Sequence, residues 1–178
     1  MVKNLLIITQ KVDKDDQLLG FFVEWIRRLN GKLPLSVLCL EKGSYELPGI
    51  SVESLGKEKK NSKLAQGWNF YRYIVKNRNQ YDAVFVHMNP IWAVLGGLFW
   101  RLMGKKVILW YTSKGTTPKL RLALWLSHIV LTASPESFRL KSNKVVVTGH
   151  GIDTDLFKPN PEIKKSSGPL AILSVGRI

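Results

Sequence analysis

The sequence predicts an α/β protein built on a doubly wound parallel sheet of the Rossmann-like type. Three observations predict it. Short apolar, β-rich runs alternate with stretches of helical periodicity along the chain, the β-α-β order that right-handed crossovers fold into a parallel sheet. The first of these runs, residues 5–9, is almost continuously apolar, as a strand covered on both faces requires. The 178 residues are 45% hydrophobic and 22% charged with near-zero mean hydropathy, enough for one domain with a sizeable core and unlike a disordered chain.

Taken in order, the strand at 5–9 is followed by Asp15-Asp16, which places negative charge where a helix N-terminus is positive. Leu18, Phe22, Trp25, Ile26 and Leu29 then recur at helical spacing, Arg27 and Arg28 sit near the helix end, and Asn30-Gly31 closes it. Residues 34–40 read as the second strand and 50–55 as the third. Ser62 caps a helix carrying Leu64, Trp68, Tyr71, Ile74 and Val75. A strand at 82–87, a helix at 90–103 with Pro90 in its first turn, and a strand at 106–111 come next. Residues 118–126 read as helix, 129–132 as strand, Ser134-Pro135-Glu136 as a short turn of helix and 144–148 as strand. No internal repeat is present. The expected domain spans residues 1–157; residues 158–169 have linker composition, and 170–178 begin with a fresh apolar strand, read as the start of a truncated second domain.

Charge narrows the partners. Lys and Arg number 27 against 13 Asp and Glu, a net charge of +14 that favours anionic partners: phosphate-bearing ligands, an acidic membrane surface or nucleic acid. The basic-aromatic stretch 68–78 and residues 114–121 are the candidate membrane surfaces. At helical spacing the aromatics of the first stretch read as core, and no recognised nucleic-acid module is visible. The single cysteine, Cys39, lies in an apolar run and reads as a small core residue suited to a reducing cytoplasm. The N-terminal apolar run covers only residues 5–8 and lacks a small-residue cleavage site, unlike a signal peptide. The most apolar stretch, 91–103, contains Arg101 and falls short of the roughly 20 residues a spanning helix needs.

In an open parallel sheet, ligands bind beyond the carboxyl ends of the strands, which selects four loops here. The loop at 10–20 leads into a helix N-terminus suited to a phosphate, with Gly20 as either a close-approach or a packing glycine. His87, directly after a strand, is the candidate catalytic residue: a hydroxyl-binding or proton-transferring group, or else a satisfied structural histidine. Thr112-Ser113-Lys114 offers donors for sugar hydroxyls or phosphate, or forms an ordinary capped turn. The segment Gly149-His150-Gly151-Ile152-Asp153 is a shaped interdomain loop, in which two glycines allow close backbone approach and Asp153 fixes the turn. The three histidines lack short metal-ligand spacing, and His128 reads as structural. No P-loop, H-E-x-x-H or nucleophile-elbow motif occurs.

The segment from Gly149 to Pro159, followed by Leu170-Ala171-Ile172-Leu173-Ser174-Val175-Gly176-Arg177-Ile178, resembles glycosyltransferase family 4, with the N-terminal part similar to that family's acceptor-binding domain. The resemblance implies the first half of a GT-B fold and transfer of a sugar from a nucleotide-sugar donor, with retention of configuration and without metal or other cofactor. The acceptor class it implies is a glycan or a lipid-linked glycan. By position, His87, Asn89, Thr112, Ser113 and Lys114 would border the acceptor, and Gly20 and Arg177 the donor diphosphate. Two departures stand out: Leu19-Gly20 replaces the family's usual glycine pair, and Ser113-Lys114 stands where a histidine often follows the threonine. The alternative is a non-catalytic basic module that binds a membrane surface or nucleic acid.

Overall fold

The computed structural model describes residues 3–155 and 157–159. The linker beyond residue 159, the strand expected at 170–178 and Arg177 lie outside them. Seven strands form one parallel sheet: β1 (Leu5–Val12), β2 (Leu35–Lys42), β3 (Ser51–Ser54), β4 (Ala83–His87), β5 (Lys106–Trp110), β6 (Ile129–Thr132) and β7 (Val145–Val147). Their order across the sheet is β3-β2-β1-β4-β5-β6-β7, and every neighbouring pair is parallel. Four helices connect them: α1 (Phe21–Asn30), α2 (Lys63–Lys76), α3 (Pro90–Leu102) and α4 (Pro118–Leu126), with a short 3-10 turn at Pro135–Ser137. This is the doubly wound α/β fold the sequence predicts.

Alternation along the strands sends side chains to two cores. Leu6, Ile8, Val84, Val86, Val107 and Leu109 face the layer made by α2, α3 and α4, where Phe70, Ile74, Trp100 and Leu120 are buried against them. Leu5, Ile7, Val37, Cys39 and Phe85 face α1, through Phe22, Val23 and Ile26. Cys39 is the core residue expected: burial pushes its thiol up to about 12, and Sγ lies 3.4 Å from the Glu53 carbonyl. His128 is structural, its Nδ1 accepting the Val107 N–H at 3.0 Å. Beneath the helical layer, the buried Tyr81 hydroxyl donates to the Ile74 carbonyl and accepts the Trp100 indole N–H, both at 3.1 Å.

Two expectations about helices are corrected. Asp15-Asp16 does not open α1, which begins at Phe21. The Asp16 carboxylate instead accepts the N–H groups of Leu18 (2.9 Å) and Leu19 (2.8 Å), so residues 16–19 form a separate turn and Leu18 is exposed. On α2 the spacing selected Ile74 correctly but otherwise named the outer side. Ser62 does cap the helix, accepting the Ala65 N–H, but Phe70 and Ile74 are the buried residues while Leu64, Trp68, Tyr71 and Val75 face outward. Among the described residues, no helix is long and apolar enough to cross a membrane.

Candidate functional site

After β1 the chain winds to β2 and β3 on one side, then returns to β4 on the other. The connections leaving β1 and β4 therefore diverge, and a crevice opens beyond their carboxyl ends, where parallel-sheet proteins bind ligands. The pairing Ile8↔Val86 brings Thr9 beside His87, and His87 pairs with Trp110 on β5. Thr9 Oγ1 and His87 Nδ1 lie 3.1 Å apart, both residues buried.

Helix α1 covers this row with aromatic rings. Phe22 stacks on the His87 imidazole with centroids 3.8 Å apart and planes 9° apart, and Trp25 packs against both His87 and Trp110. His87 is only 1% exposed, and burial pushes its pKa down to about 3. The ring is therefore neutral near neutral pH. Of the two functional roles read for it, a fixed hydrogen bond to a hydroxyl suits this environment; proton exchange near neutral pH does not. With Nδ1 engaged by Thr9, the buried Nε2 has no hydrogen-bond partner among the described residues. His87 lines a cavity of about 750 Å³ together with Gln10, Phe21, Trp25, Thr112 and His150. An apolar, aromatic hollow with a few convergent polar atoms can hold a sugar ring by its faces and orient its hydroxyls.

The turn after β4 is held under strain. Met88 has φ +62, the left-handed region that a bulky residue rarely enters. Its N–H donates to the Trp110 carbonyl at 2.8 Å, and the Thr112 hydroxyl lies 3.5 Å from its sulfur. Asn89 serves as the N-cap of α3 ahead of Pro90 and does not line the cavity. Ser113 and Lys114 are exposed beyond the rim, where the Ser113 N–H donates to the Ser137 carbonyl at 2.8 Å. Of the acceptor-side residues expected, His87 and Thr112 thus meet at one cavity; Asn89, Ser113 and Lys114 do not line it.

The phosphate-binding geometry expected at Gly20 is already used internally. Its N–H donates to the Asp16 carbonyl at 2.9 Å, while the Asp16 carboxylate takes the two preceding amides and Lys11 Nζ. Those bonds, the Lys11 contact foremost, hold the Asp16 carboxyl well below its ordinary range. A Cβ on Gly20 would stand 2.6 Å from the Asp16 carbonyl oxygen and 2.7 Å from that of Lys14, so the close approach is to the loop's own backbone.

The loop after β7 folds over the open end of the site. Gly149 adopts φ +75, the His150 ring meets Trp110 edge to face at 6.3 Å, and Gly151 packs on Trp25. Asp153 accepts from Arg28 of α1 at 2.6 Å, which fastens the loop to the helix. His150 and Gly151 therefore line the cavity, while Asp153 lies beside it in its bond to Arg28. A neighbouring recess of about 610 Å³ runs below Trp25 along Phe85, Ile108 and Leu131. A smaller polar groove of about 370 Å³ lies between β3 and α2, away from the crevice. No group of three or more His, Cys, Asp or Glu able to hold a metal occurs among the described residues. The sequence reading missed Thr9, Phe22 and Trp25 as site residues; their one signal was adjacency to the carboxyl end of β1.

No family model and no curated protein matches the chain. Solved structures do. The chain is similar to Anabaena HepE, crystallised with UDP, at a TM-score of 0.64 and 16% identity, covering 89% of this chain and 47% of HepE. It is similar to MurG of Acinetobacter baumannii at 0.53 and 16%, covering 85% and 47%. The UDP-GlcNAc 2-epimerase of Methanocaldococcus jannaschii gives 0.52 and 12%, covering 81% and 45%. The chain spans about half the length of these proteins. The fold is accordingly the Rossmann-like α/β fold of one half of a GT-B molecule, with its crevice at the β1–β4 switch point.

Proposed function

We propose that this chain is the acceptor-side domain of a nucleotide-sugar-dependent glycosyltransferase, and that the cavity between β1, β4 and α1 receives the acceptor. The observation that carries the reading is the buried, neutral His87, a residue of the aromatic cavity's lining whose Nε2 has no hydrogen-bond partner among the described residues. A buried polar atom without a partner is costly unless a ligand or water completes it. Trp25 and Phe21 offer the ring faces for a sugar, and Thr112 and His150 offer further hydrogen bonds at the rim. The fold shared with HepE, crystallised with UDP-glucose, supports a UDP-sugar as donor. The donor would be held mainly by a second domain following this one, with Arg177 on its diphosphate, and the 178-residue chain alone would be inactive. Transfer with retention of configuration, without metal, to a glycan or lipid-linked glycan follows from the family-4 resemblance of the Gly149–Pro159 segment.

In chemical terms His87 orients rather than transfers a proton. With Nδ1 accepting the Thr9 hydroxyl, Nε2–H is a donor to an acceptor hydroxyl; in the other tautomer Nε2 accepts from it. Either state fixes the incoming hydroxyl against α1, which lowers the entropic part of the barrier. The test is sugar transfer from UDP-sugars to a membrane lipid extract, by this domain joined to the sequence that follows it in its gene. Transfer that depends on both the donor domain and His87 supports the reading. Transfer by residues 1–178 alone, or no transfer from any nucleotide sugar, contradicts it.

A further inference from the structure

The outer surface of the α2–α3–α4 layer has a character that the cavity does not explain. On α2, Leu64, Trp68, Tyr71 and Val75 recur at i, i+4, i+7 and i+11 and so form one stripe. That stripe points to solvent: Leu64 is 87% and Trp68 71% exposed. On α3 the residues Ile91, Leu95, Leu98 and Leu102 repeat the spacing along a helix about 20 Å long. Leu98 and Leu102 are exposed, and Arg101 is the sole charge on that helix. The two stripes adjoin, because the Tyr71 hydroxyl donates to the Leu95 carbonyl at 3.1 Å. Leu122 and Trp125 extend the apolar surface onto α4. A surface helix that is apolar on its outer as well as its inner side is not explained by packing on the sheet.

The charges around this surface are mostly positive, the carboxylate of Glu53 sharing the groove between β3 and α2 with Arg72 and Lys76. Residues 59–135 contain twelve Lys and Arg and one acidic residue, Asp82, whose carboxylate accepts the Lys3 and Asn4 N–H groups at the far end of the strands. The cations of α2, α3 and α4 form no ion pair among the described residues; those pairs belong to Lys11, Lys14, Arg27, Arg28 and Lys57. Arg72 and Lys76 flank the α2 stripe, and Lys119 and Arg121 that of α4, all exposed.

We propose that this face seats on an anionic lipid bilayer, with Trp68, Trp125 and the α3 leucines entering the interfacial layer and the flanking cations meeting lipid phosphates. Exposed tryptophan in an apolar patch, with Lys and Arg outnumbering carboxylates around it, is the composition that binds such a surface. A second copy of the chain is disfavoured as occupant, since it would bring a like-charged rim against this one. The sheet then lies parallel to the membrane. The crevice opens along the membrane surface, with Ile91 at the near end of α3 just beyond the Asn89 cap. This orientation gives the acceptor cavity access to a head group held in the bilayer. In that purpose the proposal rests on the acceptor reading; the binding itself does not.

The experiment is flotation of the 178-residue chain with vesicles of phosphatidylglycerol and phosphatidylcholine, compared with phosphatidylcholine alone, at low salt. The expected result is partition at least tenfold stronger onto the anionic vesicles. Leu98→Glu and Trp68→Glu should each weaken it tenfold or more while leaving the thermal melt unchanged, because both side chains are exposed. Arg72→Gln with Lys76→Gln should weaken it most at low salt, with the difference from the original chain shrinking as salt rises. Absence of binding to anionic vesicles overturns the proposal, as does binding that Leu98→Glu and Trp68→Glu leave intact. A concentration-dependent dimer that Leu98→Glu disperses, without vesicle binding, overturns it in favour of a second copy. The transferase reading is tested separately in detergent with a short-chain acceptor, where no bilayer is needed, so the two can fail independently.

Discussion

Thr9 Oγ1 and His87 Nδ1 meet at 3.1 Å across the strands where the sheet changes winding direction. This pairing leaves one imidazole nitrogen for a ligand and fixes the ring that carries it. Thr9→Val keeps the shape and removes the hydroxyl, leaving the buried Nδ1 without its partner. The expected loss is about 1–3 kcal/mol of stability by urea unfolding, with Thr9→Ser recovering most of it.

Acid should reveal the same histidine. Its folded pKa is pushed down to about 3 by burial, from an ordinary value of 6.5. Below pH 6.5 the unfolded chain takes up a proton that the folded chain refuses. This contribution to stability is therefore complete above 6.5 and is lost as pH falls towards 3, at up to ~1.4 kcal/mol per pH unit. His87→Asn lacks this titration. Melts of both proteins at pH 7, 6, 5 and 4 should show the original chain losing stability faster, and parallel curves would refute the assignment.

Gly20 and Gly67 make a matched pair of opposite sign. A methyl group on Gly20 would stand 2.6 and 2.7 Å from two backbone carbonyl oxygens, so Gly20→Ala should cost about 1–3 kcal/mol and speed amide exchange at Leu18 and Leu19. A Cβ on Gly67 meets nothing within 4 Å in the middle of α2, so Gly67→Ala should add about 0.5–1 kcal/mol.

The Arg28–Asp153 bond fastens the loop after β7 to α1. Both groups are partly exposed, so Arg28→Gln should change global stability by less than ~1 kcal/mol. Hydrogen exchange should nonetheless rise at Asp155 and Phe157, whose N–H groups bond to Asp153, and stay unchanged in β1 and β4.

The fold was legible because parallel strands and their helices write two different periods into the chain. α4 and β6 have the bounds the sequence suggests, and Ser62 caps its helix as read; the caps Asn89 and Thr117 were not read from the sequence. α1 was misread at its start because Asp16 can serve equally as a helix opener or as the anchor of a preceding turn, and only the surrounding loop decides. On α2, two apolar stripes compete and periodicity cannot say which one meets a sheet; Leu55 and Val84 select Phe70 and Ile74. At the site, His87 and Thr112 were accessible from the strand-end rule. Phe22, which stacks on His87 from the core, and Trp25, which lines the cavity, were not, since an aromatic ring at helical spacing looks the same in a core and in a cavity wall.

The proposed role of the cavity as acceptor site is tested most directly by His87→Asn in the assay of sugar transfer by this domain joined to the sequence that follows it in its gene. Asparagine can keep the bond to Thr9 but has no atom at the position of Nε2. The steady-state KM for the acceptor should rise roughly tenfold, the worth of one hydrogen bond, while the KM for the nucleotide sugar stays within about twofold. A raised donor KM with an unchanged acceptor KM would contradict the account and move the acceptor elsewhere.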